Sequence, residues 1–169
     1  MEIWDLYDEN LNRTGDVVIK GNEIPNGFYH LALEIWIINS KKEILLIKNS
    51  LDYSKRYAGS WCCVGGSFIS GENQETALIR LLNKKIGIVT TIEKTKPIFL
   101  KPVKRSLFKY AYITCILSAD FDLNNIKFND DESTAAMYVD KNELINMCNN
   151  GEIAYYLIDR IENEVSKYF

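Results

Sequence analysis

The 169-residue sequence predicts an α/β fold built on a mixed β-sheet, and three observations carry that expectation. Two long runs, Tyr29 to Asn39 and Leu107 to Leu117, are rich in Leu, Ile, Tyr and Trp and read as strands. Between them a stretch from Asn73 to Ile86 has helical spacing and ends on Gly87, and two further helical patterns close the chain. Strands, one helix, more strands and terminal helices, in that order, place helices on the faces of a mixed sheet. No repeat, low-complexity tract or linker interrupts the chain, so residues 1–169 read as a single domain long enough to bury one core.

The elements follow in order. Residues 2–20 hold two short apolar stretches around the turn-forming cluster Asp8 to Gly15, which predicts an N-terminal β-hairpin, with its exit loop running to about residue 26. In the strand from Tyr29, period-two alternation puts His30, Ala32, Glu34 and Trp36 on one face. Asn39 to Lys42 turn the chain into Glu43 to Lys48, an expected antiparallel partner of that strand. The polar run from Asn49 to Ser60 reads as a loop that brings Lys48, Lys55 and Arg56 toward the following segment. Trp61 to Val64 is a short strand, Gly65, Gly66 and Gly71 permit a tight loop, and Asn73 is positioned to cap the helix that Gly87 ends. Ile88 to Thr91, Pro97 to Leu100 and Ala135 to Val139 are further strand candidates, and Leu107 to Leu117 places Phe108, Tyr110 and Tyr112 on one face. Lys141 to Met147 and Glu152 to Lys167 read as helices, the second on the spacing of Ile153, Leu157, Ile161 and Val165, so residues 141–169 form a helical C-terminus.

Composition narrows the function. A net charge of -3 and a pI near 5.3 argue against general nucleic-acid or membrane-surface binding, both of which reward a basic field. The acidic N-terminus lacks a signal-peptide pattern and no apolar run reaches the length of a membrane span, so a cytoplasmic protein is expected. Cys62, Cys63, Cys115 and Cys148 form no C-x-x-C pair, which leaves reduced thiols and reads Cys62 and Cys63 as packing residues. Lys94, Lys96, Lys101, Lys104, Arg105 and Lys109 form either a solvated basic edge or a lip for an anionic substrate.

The segment from Gly65 to Ile88 carries the most specific signal. Gly66, Glu72, Arg80, Leu82, Gly87 and Ile88 fall on the pattern G-x5-E-x7-R-E-U-x-E-E-x-G-U, with U apolar, and the chain resembles the Nudix superfamily over that box. Trp4 to Asp8, Gly27 to Ala32, Ile44 to Leu46, Gly59 to Trp61 and Asp131-Glu132 extend the resemblance toward the isopentenyl-diphosphate-isomerase-like branch. The isomerase itself is a poor match, because its metal site needs several histidines and this chain has only His30. The resemblance implies a Nudix-type α/β/α sandwich with a mixed β-sheet, with the box helix on one side.

It also implies a cation site that this sequence alters. Where the family carries glutamates that hold Mg²⁺ or Mn²⁺ against a diphosphate, this chain has Leu81, Lys84 and Lys85 on one helix face. An ammonium about 6 Å from a divalent ion costs roughly 5 kcal/mol at an effective dielectric of about 20, so the box is degenerate and ordinary metal binding there is not expected. Lys84 and Lys85, beside Arg80, either clamp phosphate directly or face solvent. If a site is rebuilt with Mg or Mn, Glu72, Glu75 and Glu132 are the catalytic candidates. Arg80, Lys84, Lys85, Lys48, Arg56, His30 and Glu34 are the ligand-binding candidates. Three functions remain open on these residues. They are a Nudix-type protein that recognises a nucleotide or other diphosphate-containing small molecule with hydrolysis weak or lost, an active pyrophosphohydrolase with a rebuilt site, and a non-catalytic homodimer.

Overall fold

The computed structural model describes residues 1–52 and 57–169. Its centre is β3, His30–Ile38, in which every residue from Leu33 to Ile38 is buried. A strand buried on both faces needs helical cover on both sides, and along its two edges it takes hydrogen-bonded neighbours. On one edge β9, Tyr110–Ser118, runs parallel in continuous register from His30↔Tyr110 to Ile38↔Ser118. On the other edge β4, Ile44–Asn49, meets β3 only at Ile38↔Ile44, so the expected hairpin pairs at its tip and then parts.

The parting is filled by residues 61–67. β5, Trp61–Cys62, pairs with β4, and the chain then crosses so that β6, Val64–Ser67, pairs antiparallel with β3 from Ala32↔Ser67 to Ile35↔Val64. Gly65 and Gly66 therefore lie in a strand and not in the predicted loop. What they provide is close approach: a Cβ at Gly65 would stand 2.5 Å from the Leu33 carbonyl oxygen, and one at Gly66 2.8 Å from a Leu81 methyl. The left-handed turn falls to Gly71, with φ of 87°. β10, Ser133–Val139, completes the sheet antiparallel to β4, while β7, Ile98–Phe99, and β8, Val103–Arg105, pair with β9.

Helix α1, Gln74–Ile86, has the ends its sequence predicts. Asn73 accepts from the Thr76 amide while the Thr76 hydroxyl accepts from the Asn73 amide, and Gly87 closes the helix at φ of 71°. Its buried Ala77, Leu78, Leu81, Leu82 and Ile86 form the stripe that packs on β3 and β6. Because Gly66 pairs with Leu33 and faces Leu81, α1 covers the Leu33 face of β3; Glu34, the next residue, points to the other face and meets Arg160 of the C-terminal stretch. Helical segments on opposite faces of a mixed sheet make the α/β/α sandwich.

The N-terminal hairpin pairs β1, Ile3–Tyr7, with β2, Arg13–Ile19. It is stapled to the loop ahead of α1: the Ser70 amide donates to the Ile3 carbonyl at 2.8 Å, and the Ser70 hydroxyl and Gly71 amide donate to Asp5 at 2.7 and 3.0 Å. Other elements depart from expectation. Residues 88–91 form no strand, and a short helix α2, Ile92–Thr95, follows them. Ser106–Phe108 is a 3-10 turn, which Lys109 closes with φ of 53°, so Phe108 leaves the strand face of Tyr110 and Tyr112. α3, Lys141–Asn149, is capped by Asp140. The final helical stretch begins at Tyr155, because residues 152–154 are held extended by hydrogen bonds to both sides of Trp61. Over residues 155–168 it mixes 3-10, α and π turns and buries Leu157, Ile161 and Val165 as the spacing implied.

The tight contact at Gly65 gives a first test. Gly65→Ala is expected to lower stability by about 1–3 kcal/mol, read as a lower urea midpoint at constant slope. A midpoint unchanged from the wild type would contradict the close packing of β6 against β3.

Candidate functional site

A cavity of about 400 Å³ lies beside the crossing that fills the gap between β3 and β4. Four regions line most of it: His30, Ala32 and Glu34 from β3, the strands and crossing around Cys62 to Ser67, Arg80, Leu81, Lys84 and Lys85 from α1, and Glu2, Trp4 and Lys20 from the hairpin. Ile47, Asn49, Tyr57, Tyr110, Glu132 and Tyr156 close the rest.

The α1 wall is built from its C-terminal end. The Lys127 amide donates to the Ile86 carbonyl and the Asn129 amide to the Lys84 carbonyl, both at 3.1 Å, while the Asn129 side chain donates to the Asn83 carbonyl at 2.9 Å. The first two bonds satisfy carbonyls that a helix end leaves without partners, the third adds a donor to a carbonyl that already accepts from the Gly87 amide, and together they fix the loop before β10 against the helix. Asp130 and Glu132 are thereby brought to Lys85, a residue only 5% exposed, whose ammonium pairs with Asp130 at 2.8 Å and, more closely still, with Glu132. Burial disfavours the Lys85 ammonium, but hydrogen bonds and charge from the two carboxylates outweigh it and raise its pKa above the ordinary lysine value. Burial likewise disfavours the Glu132 carboxylate, and the Lys85 hydrogen bond holds its pKa below the ordinary range.

Lys20 from the hairpin reaches the same group, 3.9 Å from the second Glu132 oxygen and 3.6 Å from Glu2. Lys84 lines the cavity half-buried and makes no ion pair or side-chain hydrogen bond among the described residues. Its charge is felt by both Glu2 and Glu132.

Arg80 is held in place by Glu72, whose Oε2 accepts from Arg80 Nη2 at 2.8 Å and from the Ile69 amide at 2.9 Å; Arg80 also donates to the Ser67 carbonyl. Glu72 is therefore a support for Arg80 and the loop. Glu75 is exposed on the far side of α1, next to an outer groove with Arg13 and Phe68. Lys48 lies over the Trp61 ring, 5.6 Å from its centre, and does not line the cavity. Arg56 lies outside the described residues.

The opposite wall is aromatic and electrically quieter. Trp4 stacks on His30 at 4.2 Å with planes 10° apart, and Tyr110 lies 5.9 Å from the same imidazole. Burial lowers His30 to about 4, so it is neutral at physiological pH, and its Nδ1 is buried with no hydrogen-bond partner among the described residues. Glu34, at the cavity floor, accepts from Arg160 Nε at 3.2 Å; burial pushes its carboxyl up to about 7 against the pull of that guanidinium. Arg160 also donates to the Tyr110 hydroxyl at 3.1 Å and lies 3.9 Å from the Tyr112 ring centre. Cys62 and Cys63 are buried here; burial pushes Cys62 up to about 12 and Cys63 well above its ordinary value, which makes both poor nucleophiles.

The structure thus gathers His30, Glu34, Arg80, Lys84, Lys85 and Glu132 around one cavity and leaves Glu75 and Lys48 outside it. Sequence reasoning missed Asp130, Lys20, Trp4 and Arg160. Asp130 had a signal, since it precedes Glu132 by two residues in an acidic run; the other three arrive from chain ends with no local pattern.

A divalent cation at the box face does not fit these residues. Leu81 is buried and offers no oxygen, Lys85 places an ammonium between the nearest carboxylates, and among the described residues no group of three or more His, Cys, Asp or Glu converges on a metal position.

With this geometry in place, comparison with known proteins gives the family. A model of the NUDIX domain matches residues 28–160, most of the chain, and the protein belongs to the Nudix family. It is 28% identical to an uncharacterized Nudix hydrolase of Listeria monocytogenes over 165 residues, covering 96% of this chain and 95% of that one. A counterpart in Listeria innocua is 26% identical over 163 residues, with 95% and 94% covered. Among solved structures, a Deinococcus radiodurans protein superposes with a TM-score of 0.71 at 18% identity, covering 90% of this chain and 92% of its own. The NUDIX domain of Shewanella oneidensis NrtR, complexed with ADP ribose, gives 0.63 at 15% identity, with 83% and 89% covered. Among the described residues no helix is long and apolar enough to cross a membrane.

The neutral His30 generates a pH prediction. Its folded pKa lies below the unfolded value of 6.5, so the stability it contributes is complete above that pH and is lost as pH falls toward about 4. Urea unfolding at several pH values between these limits is expected to give a shallower pH slope in His30→Phe than in the wild type. Equal slopes would mean that the imidazole is not held neutral.

Proposed function

We propose that the cavity recognises a nucleotide or other diphosphate-containing small molecule, bound without a divalent cation, and that metal-dependent hydrolysis is weak or lost. The observation that carries this reading is the α1 wall, where, among the described residues, Lys84 faces the cavity unpaired beside Arg80 and Lys20 and no oxygen cluster is positioned for a metal. A phosphate between these cations gains charge-assisted hydrogen bonds, while the Trp4, His30 and Tyr110 wall offers flat surface to a base. The ADP ribose complex of the Shewanella domain supports a ligand of this class. The setting we infer is cytoplasmic, with a small molecule and not a nucleic acid as partner.

A second reading, an active pyrophosphohydrolase with a rebuilt site, draws on one observation. Glu34 faces the cavity with its carboxyl pushed up to about 7, the range in which a side chain can both give and take a proton.

The deciding experiment is a thermal-shift and phosphate-release screen of nucleotides, dinucleotides, sugar nucleotides and prenyl diphosphates, with EDTA and with Mg²⁺ or Mn²⁺. A ligand at 100-fold over its Kd is expected to stabilise by about 2.7 kcal/mol, about 5–10 °C in melting temperature, equally in EDTA and Mg²⁺. Lys84→Glu is expected to abolish that shift. Turnover with Mg²⁺ at an ordinary enzyme rate, lost in Glu34→Gln and Glu132→Gln, would establish the second reading instead.

A further inference from the structure

We propose that Glu34 reads the flat group of the bound molecule, so that the cavity prefers a diphosphate whose heterocycle carries an exocyclic amine over one with an oxo group in the same place. The inference rests on the proposed binding of a diphosphate at the α1 wall, and it adds what the other half of the cavity selects.

Three observations converge on one slot. First, Glu34 keeps an oxygen for a ligand. It is 6% exposed and lines the cavity, yet only its Oε2 is engaged, by Arg160 Nε at 3.2 Å. The two terminal nitrogens of Arg160 donate to the Tyr156 carbonyl and the Tyr110 hydroxyl, so no second bond closes the pair, and Oε1 accepts no hydrogen bond among the described residues. Second, the floor beside the carboxyl is made of small residues. Ala32 pairs with Ser67 and Glu34 with Gly65, and residues opposite one another on neighbouring strands share a face, so Ala32, Ser67 and Gly65 leave a shallow patch next to Glu34 inside the cavity. Third, the far end of that patch is aromatic. His30, on the same face of β3, stacks on Trp4 and lies 5.9 Å from the Tyr110 ring centre. At about 3.3 Å per residue the Cα atoms of His30 and Glu34 stand about 13 Å apart, which leaves room for one ring system between the two side chains.

The chemistry of the carboxylate fixes what that ring carries. An ionised carboxylate only accepts hydrogen bonds. An exocyclic amine at the ring edge supplies the hydrogen, as when an acidic side chain accepts from the amine of cytosine, whereas an oxo group there sets two acceptors against each other. Burial sharpens the difference, because in the closed slot neither group of a mismatched pair can turn to water.

The test uses the full chain in EDTA at about pH 8, above the Glu34 value of about 7. Calorimetric titration compares ADP with IDP and CDP with UDP, and inorganic pyrophosphate serves as the probe without a ring. The wild type is expected to bind each amino nucleotide about tenfold or more tightly than its oxo counterpart. Glu34→Gln keeps an acceptor for Arg160 and gains a donor for an oxo group, so both ratios are expected to fall close to unity while pyrophosphate affinity stays at the wild-type level. Ala32→Leu fills the floor and is expected to weaken every nucleotide and spare pyrophosphate. Equal binding of amino and oxo nucleotides by the wild type, an unchanged ratio in a folded Glu34→Gln, or nucleotide affinities untouched by Ala32→Leu would each overturn the inference and leave the diphosphate reading standing. Should Glu34→Gln fail to fold, the wild-type ratios and Ala32→Leu decide. Binding of no probe, pyrophosphate included, would overturn both.

Discussion

The buried Lys85 ammonium between Asp130 and Glu132 is the constraint on which the site depends. A lysine at this depth is tolerated only when its charge is matched, and a pair of carboxylates on a loop is tolerated only when a cation sits between them. The three charges therefore fix one another, and they tie the end of α1 to the start of β10 at the mouth of the cavity. The hydrogen bonds from residues 127 and 129 to the helix carbonyls make that tie a matter of backbone as well as charge.

A second set of contacts brings the N-terminal hairpin into the site. Asp5 binds the Ser70 hydroxyl and the Gly71 amide, Arg13 donates to the Glu72 carbonyl at 3.0 Å, and Tyr7 and Tyr29 exchange backbone hydrogen bonds. Through these contacts Trp4 and Lys20 become walls of a cavity whose other walls lie far along the chain. The same loop holds Glu72, so the ion pair that positions Arg80 and the bonds that position the hairpin share a few residues.

The cavity is divided by charge. Along α1 and the rim, cations and carboxylates alternate from Glu2 through Lys20, Glu132 and Lys85 to Asp130, with Lys84 left over. On the β3 side, burial keeps His30 neutral, and Arg160 neutralises Glu34 within a ring of tyrosines. On the function proposed above, the first half meets the phosphate and the second the flat, weakly polar group.

By itself the sequence determined the elements whose signals are local. The ends of α1 follow from Asn73 and Gly87, because capping is decided within a few residues, and the strand at β3 follows from a run of apolar side chains that only Glu34 interrupts. It also determined that the box helix carries lysines where its resemblance implies glutamates, which is a matter of residue identity alone. Only the tertiary structure decided how β4 parts from β3, that Gly65 and Gly66 serve close approach in a strand, and that residues 88–91 form no strand. It alone distinguished the two adjacent lysines, since Lys84 and Lys85 differ by only about 100° around the helix and their fates rest on whether a loop more than forty residues away delivers carboxylates to one of them. Long-range charge pairing of this kind has no periodicity for a sequence to display, because each partner sits where its own backbone puts it.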